Sequence, residues 1–317
     1  MERKSKILIV VDPTTKAQPA LERVAHLPQP LNAEVMLLIC DYGPSLTTGR
    51  ELAPASVAGA TEALLLRHRK RLEDLAQPLR AQGLDVVTDV RWDYPLHEAI
   101  IRGAVEWHAD LVVKDTHYHP ILRRSIFSNT DWNLIRYCPI ELLLVKPRAL
   151  GHVPCIVAAV DPLHPRDQSA SLDDRILTSA KNLAGLMAGQ THVLHAFDVT
   201  PMILASTGAM MTPIALPIND ITADMESTHT QAVRARAEAH QIPVDRVTVL
   251  QGEPRDVLVT FTDRLRADVV VMGSVSRSAL ERLFVGSTAE AVLDKLSCDV
   301  LIVRPADFKN SIPSEGV

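Results

Sequence analysis

The chain alternates short apolar runs with longer stretches of helical periodicity. Ile7–Val11, Glu34–Ile39, Asp85–Arg91, Leu111–Lys114 and Leu142–Val145 are apolar and bounded by polar residues or proline, which predicts five buried strands. Helices fall between them. Thr61–Gln82 is one, and its basic run Arg67, His68, Arg69, Lys70 and Arg71, balanced by Glu73 and Asp74, reads as a solvated face. His97, Glu98 and His108 lie on another presumed helix, as surface residues. Further on, Leu172, Ile176, Leu177, Ala180, Leu183 and Leu186 form one apolar face, with Ser171 and Asp174 at cap spacing and Gly189 closing. Strand–helix alternation of this kind predicts an α/β fold, a mainly parallel sheet with helices on both faces and right-handed crossovers. Ligands of such sheets sit at the carboxyl ends of the strands.

The pattern is written twice. Ala109–Pro147 aligns with Ala267–Pro305 at an offset of 158 without a gap, with ten identities in thirty-nine positions. Ile7–Pro13 recurs as Ile156–Pro162 at an offset of 149, so the second copy carries nine extra residues. Two domains of five strands each are expected, residues 1–150 and 151–317, with the seam at Arg148–Pro154. The apolar last strands, Leu142–Val145 and Val300–Val303, would pair to make the halves an intramolecular pseudo-dimer, with a homodimer as a further option.

Composition narrows the function. A chain with 47% apolar and 22% charged residues is an ordinary globular protein, while a net charge of -5 and 4% aromatics argue against a nucleic-acid surface. Cys40, Cys138, Cys155 and Cys298 show neither C-x-x-C nor metal spacing and are expected as reduced, mostly buried thiols. Met1–Lys6 runs into the first strand with no apolar signal region, so a cytoplasmic location is expected. Val199–Asn219 has no charged residue, yet Pro201, Gly208, Pro213 and Pro217 make it an apolar loop and not a membrane span. Most of the nine extra residues are expected there. Its Met202, Ile203, Leu204, Met210, Met211, Ile214 and Leu216 must cover something: their own core, the inter-domain seam, or a cleft for a long apolar or acyl-bearing ligand.

The candidate chemistry follows the fourth strand of the second half. There Gly273, then Ser276, then nine residues later Gly286-Ser287-Thr288 would let backbone N–H groups approach phosphate oxygens and start a helix whose positive end favours an anion. This stretch resembles the universal stress protein family, whose nucleotide-binding members carry G-x2-G-x9-G-[ST] at this place. Ser276 stands where the family has its second glycine. The resemblance implies ATP or AMP, with Mg, in the second half only, with Asp161 facing ribose or adenine, the backbone near Ala196 meeting the base edge, and Arg277 near the loop. As residue chemistry alone, Asp161 is equally a turn residue.

In the first half the same positions read Asp115, Tyr118, Ser128 and Asn129, so charge and volume oppose a nucleotide. Lys114–His119, with Thr130-Asp131-Trp132 and Cys138-Pro139, resembles the first half of the tandem, E-type members. That implies a cytosolic bacterial stress-response protein without an established reaction. His117 and His119 alternate, but no Cys or acid completes a ligand set, so no metal is expected. The signatures G-x-G-x-x-G, G-x-x-x-x-G-K-[ST], H-E-x-x-H and G-x-S-x-G are absent, and a non-enzymatic protein is expected. Three readings remain: a nucleotide-responsive regulator, a sensor or carrier of an apolar molecule, and a slow ATPase, for which no base is evident.

Overall fold

In the computed structural model the described residues are 3–27, 32–43, 54–116, 128–163, 168–200, 218–273, 292–308 and Ile312. The chain forms two compact units, one of Met1–Arg148 with Phe308–Val317 and one of Ala149–Asp307.

The first unit contains β1 (Ser5–Val10), α1 (Pro19–Ala25), β2 (Ala33–Asp41), α2 (Pro54–Ala81), β3 (Asp85–Trp92), α3 (Leu96–Glu106), β4 (Leu111–Asp115), α4 (Asn129–Tyr137) and β5 (Glu141–Val145). Its strands pair in parallel in the order β3-β2-β1-β4-β5. The second unit repeats the plan with β6 (Cys155–Ala159), α5 (Gln168–Leu186), β7 (Gln190–Phe197), α6 (Ile218–Ala239), β8 (Val247–Gln251), α7 (Pro254–Leu265), β9 (Val269–Gly273) and β10 (Asp299–Val303). Its order is β8-β7-β6-β9-β10, again parallel. Crossovers of one hand run outward from β1 to β3 and then back to β4, which puts helices on both faces. Strands covered twice have no polar side: Leu8, Ile9, Leu37, Leu38 and Ile39 are buried in succession, as are Ile156, Val157 and Ala158 and all of Val269–Val271.

The duplicated Ala-Asp pair has a structural cause. Asp268 donates its N–H to the Cys155 carbonyl at 2.8 Å, and its carboxylate accepts the N–H groups of Cys155 and Gly151, both at 2.8 Å. Asp110 makes the same exchange with Lys6, at 2.8 Å and 2.9 Å. One side chain thereby fixes where each unit's first strand enters beside the fourth.

Helix ends repeat as well. His108 and Arg266 occupy equivalent left-handed positions, with φ of 59° and 53°, and the following alanines donate to Ala104 and Thr262. His108 is therefore a helix-closing residue beyond the end of α3, not a residue on its surface. At the next equivalent pair the first copy has Gly83 and the second Gln241, with φ of 89° and 57°. Gln241→Gly is expected to stabilise the protein by about 0.5–1 kcal/mol, because only the side chain's penalty in that backbone region is removed. Urea unfolding checks this, and a loss of stability would contradict it.

Three predicted helix features are corrected. α2 begins at Pro54, earlier than Thr61, and α5 begins at Gln168, so Ser171 and Asp174 lie inside it. Asp174 instead binds Arg236 of α6 and His240, just beyond its end, at 3.0 Å and 3.1 Å. After α5 the left-handed residue is Ala188, and Gly189 is small for another reason: a Cβ there would lie 2.4 Å from the Pro154 carbonyl oxygen.

Candidate functional site

Where a parallel sheet reverses its strand order, the loops part and leave a crevice at the carboxyl ends. In the second unit this point lies between β6 and β9, so Asp161 and Gly273 flank it. The Asp161 side chain is 55% exposed, and its backbone N–H donates to Asp173 Oδ1 at 3.1 Å. Asp173 is buried, and burial pushes its pKa up to about 6. Gly273 has a packing role: a Cβ would lie 2.7 Å from Cδ2 of Leu172, so the bare backbone lets α5 settle against β9.

Beside them, β7 ends in His195, Ala196 and Phe197. Alternation sends Ala196 to one face and its neighbours to the other. His195 is buried, with Nδ1 2.9 Å from the Val160 carbonyl oxygen and 3.9 Å from Asp161 Oδ1, and Nε2 2.7 Å from Nδ1 of His229 on α6. The Phe197 ring lies 4.9 Å from that of His229 at an angle of 15°. The sequence gives no sign of this pair, because residues 34 positions apart on a strand and a helix share no periodicity. Of the nucleotide residues the motif implies, Asp161, Ala196 and Gly273 are thus at one sheet edge. Ser276, Arg277, Gly286, Ser287 and Thr288 lie outside the described residues. So do Met202, Ile203, Leu204, Met210, Met211, Ile214 and Leu216 of the apolar loop, and His117, Tyr118 and His119.

The same edge of the first unit is tied up by its own side chains. Asp12, the counterpart of Asp161, accepts from the N–H and hydroxyl of Thr14 at 2.7 Å and 2.6 Å. Arg71 donates to the carbonyls of Pro13 at 2.9 Å and Asp12 at 3.3 Å, and to that of Thr15. His68, buried, contacts Asp41 Oδ2 at 2.8 Å. The basic run is therefore not a uniformly solvated face, since two of its members turn inward and anchor the ends of β1 and β2. Asp115, the counterpart of Gly273, is 1% exposed and accepts the N–H of Ala20 in the first turn of α1. Burial pushes its pKa up to about 7. Asp115 thus faces the crossover helix rather than the space expected for a phosphate.

At the start of α4 an internal carboxylate takes the anion's position. Asp131 Oδ2 accepts from the Ser128 N–H and hydroxyl at 2.7 Å and 2.8 Å, the Ser128 oxygen accepts from the Asp131 N–H, and Lys114 Nζ lies 2.7 Å from Asp131 Oδ1. Within this capping box plus ion pair the Asp131 carboxylate is buried, while Ser128 and Lys114 are half-buried. The second copy has Met272 and Ala289 at the two charged positions, so its sequence contains neither partner.

Elsewhere, Tyr42, Trp92 and Tyr94 cluster at the ends of β2 and β3, with ring centroids 6.0 Å and 4.9 Å apart. The low aromatic content gave no reason to expect it. Burial pushes the Cys40 thiol up to about 12 and Cys155 up to about 11, so both stay protonated at neutral pH. Among the described residues no three His, Cys, Asp or Glu side chains could hold a metal, and no helix is long and apolar enough to cross a membrane.

The sequence pattern of the universal stress protein family matches twice, over residues 4–146 and 156–304. The chain belongs to this family. It is 27% identical over 315 residues to universal stress protein E of Salmonella typhi, covering 98% of both chains. That full-length match makes it a tandem member of E-type likeness. A crystal structure of a putative universal stress protein from Pseudomonas aeruginosa UCBPP-PA14 superposes with a TM-score of 0.73 at 26% identity, covering 95% of this chain and 94% of that one. A universal stress protein from Archaeoglobus fulgidus DSM 4304, at 15% identity and a TM-score of 0.62 over 96% and 98% of the chains, shares the fold.

Proposed function

We propose that this protein is a non-enzymatic, cytoplasmic stress-response regulator that binds ATP or AMP in its second unit alone. The observation that carries this reading is the occupied start of α4. In the first unit the Asp131 carboxylate already takes the N–H and hydroxyl of Ser128 at the helix start, places a negative charge where an external phosphate would approach, and is paired with Lys114. The second copy has Ala289 and Met272 there, behind Gly286-Ser287-Thr288, so its sequence leaves the helix start to an anion from solution. The exposed carboxylate of Asp161 supports the same assignment, since its counterpart Asp12 is engaged by Thr14. A ribose hydroxyl is the natural donor to such a carboxylate at a switch point.

Gly286→Val is expected to weaken ATP binding at least a hundredfold, because a branched Cβ crowds the phosphate approach. Ser128→Ala, at the equivalent position of the first unit, should leave ATP affinity unchanged. Isothermal titration of both variants tests the reading. Loss of binding in Ser128→Ala with retention in Gly286→Val would reverse the assignment.

A further inference from the structure

The His195–His229 pair has a fixed hydrogen-bond direction. A carbonyl oxygen only accepts, so Nδ1 of His195, 2.9 Å from Val160 O, carries the hydrogen. In a neutral ring Nε2 then holds a lone pair, and His229 Nδ1, 2.7 Å away, must donate to it. The 2.7 Å between nitrogens and the two centroid-to-nitrogen lengths together nearly make up the 4.8 Å between centroids, so the rings, inclined by 18°, meet edge to edge. Neutral His229 therefore has no hydrogen on Nε2. Its ring is only half-buried, and this nitrogen has no hydrogen-bond partner among the described residues. Phe197 lies parallel to the ring and holds its plane.

Position says what the lone pair meets. β9, β6 and β7 are neighbours, so the ends of β9 and β7 are two strand spacings apart, roughly 10 Å. A nucleotide with its phosphates at the first and its ribose at Asp161, beyond the end of β6, brings its base to the end of β7. We infer that Nε2 of His229 accepts the exocyclic amino group of the base, so that the second unit selects adenine over a 6-oxo purine. This rests on the nucleotide reading above. A 6-oxo base would set lone pair against lone pair at a site that cannot reorient, because His195 fixes the tautomer. Protonation would relieve that clash, but burial, followed by the neighbouring His195, pulls the His229 pKa down. Asp161 acts in the opposite direction.

Titration of the full chain with ATP and with ITP at pH 8 tests the inference without any variant. ATP is expected to bind about tenfold more tightly, corresponding to one mispaired acceptor. His229→Phe keeps a ring beside Phe197 and removes the lone pair. It should bring the two affinities within about twofold, mainly by weakening ATP, with a single cooperative melting transition, lowered by the lost bond to His195, showing that the fold is kept. Equal binding of ATP and ITP by the parent, or discrimination retained in His229→Phe, would overturn the inference while leaving the nucleotide site standing. Binding of neither nucleotide would overturn both.

Discussion

Asp115→Asn is expected to stabilise the protein on the order of 2–4 kcal/mol at pH 8 and to have no effect near pH 3. The carboxyl group is 1% exposed and its pKa is pushed from 3.8 up to about 7, chiefly by burial, with Asp12 and Glu22 adding to it and the Ala20 N–H and Lys114 opposing. A carboxyl whose pKa is raised on folding binds its proton more tightly in the native state. It adds no cost well below pH 4, where both states hold the proton; its cost grows between about pH 4 and 7, where only the unfolded state has ionised, and stays constant above 7. Asparagine never ionises and still offers an oxygen to Ala20. Urea unfolding of parent and variant across pH 3–9 should give stabilities that meet near pH 3, separate between about pH 4 and 7 and keep that separation above 7. A difference that does not change from pH 3 to 9, or a variant less stable at pH 8, would contradict this.

Asp268→Ala is expected to cost about 3 kcal/mol, and Asp110→Ala about 1 kcal/mol or less. The two residues are copies of one position with the same backbone exchange, but their surroundings differ. Asp268 is 2% exposed and its carboxylate accepts from both Gly151 and Cys155, so its removal strands two N–H groups at the entry to β6. Asp110, with 44% of its side chain exposed, accepts from Lys6 and from the exposed Arg3, and water replaces both bonds. Denaturant midpoints at pH 7 provide the comparison. Equal losses would mean that the repeat, and not burial, sets the cost.

These contrasts mark how far the sequence reaches. The first unit's five strands were legible to within two residues at each end, since a sheet covered on both faces leaves uninterrupted aliphatic runs. Helix starts were less legible. Ser171 and Asp174 carry capping chemistry wherever they stand, and only the fold decides that α5 has already begun at Gln168. Arg71 and His68 look like members of a solvated run because their acceptors, Pro13 and Asp41, belong to other strands' ends. The glycine positions were marked correctly as special but with incomplete reasons: Gly189 makes room for the Pro154 carbonyl and Gly273 for Leu172, both contacts between segments far apart in the chain. The motif identified the second unit's sheet edge through Asp161, Ala196 and Gly273. The His195–His229 pair beside it depends on strand and helix meeting in space, which no spacing rule encodes.

The central claim is the asymmetry of the two units, and the stoichiometry of ATP binding tests it most directly. Calorimetric titration of the full chain is expected to give one site per chain. Two sites per chain would show that the Asp131 cap and Asp115 leave the first unit open, and no binding at millimolar ATP would remove the site from the second.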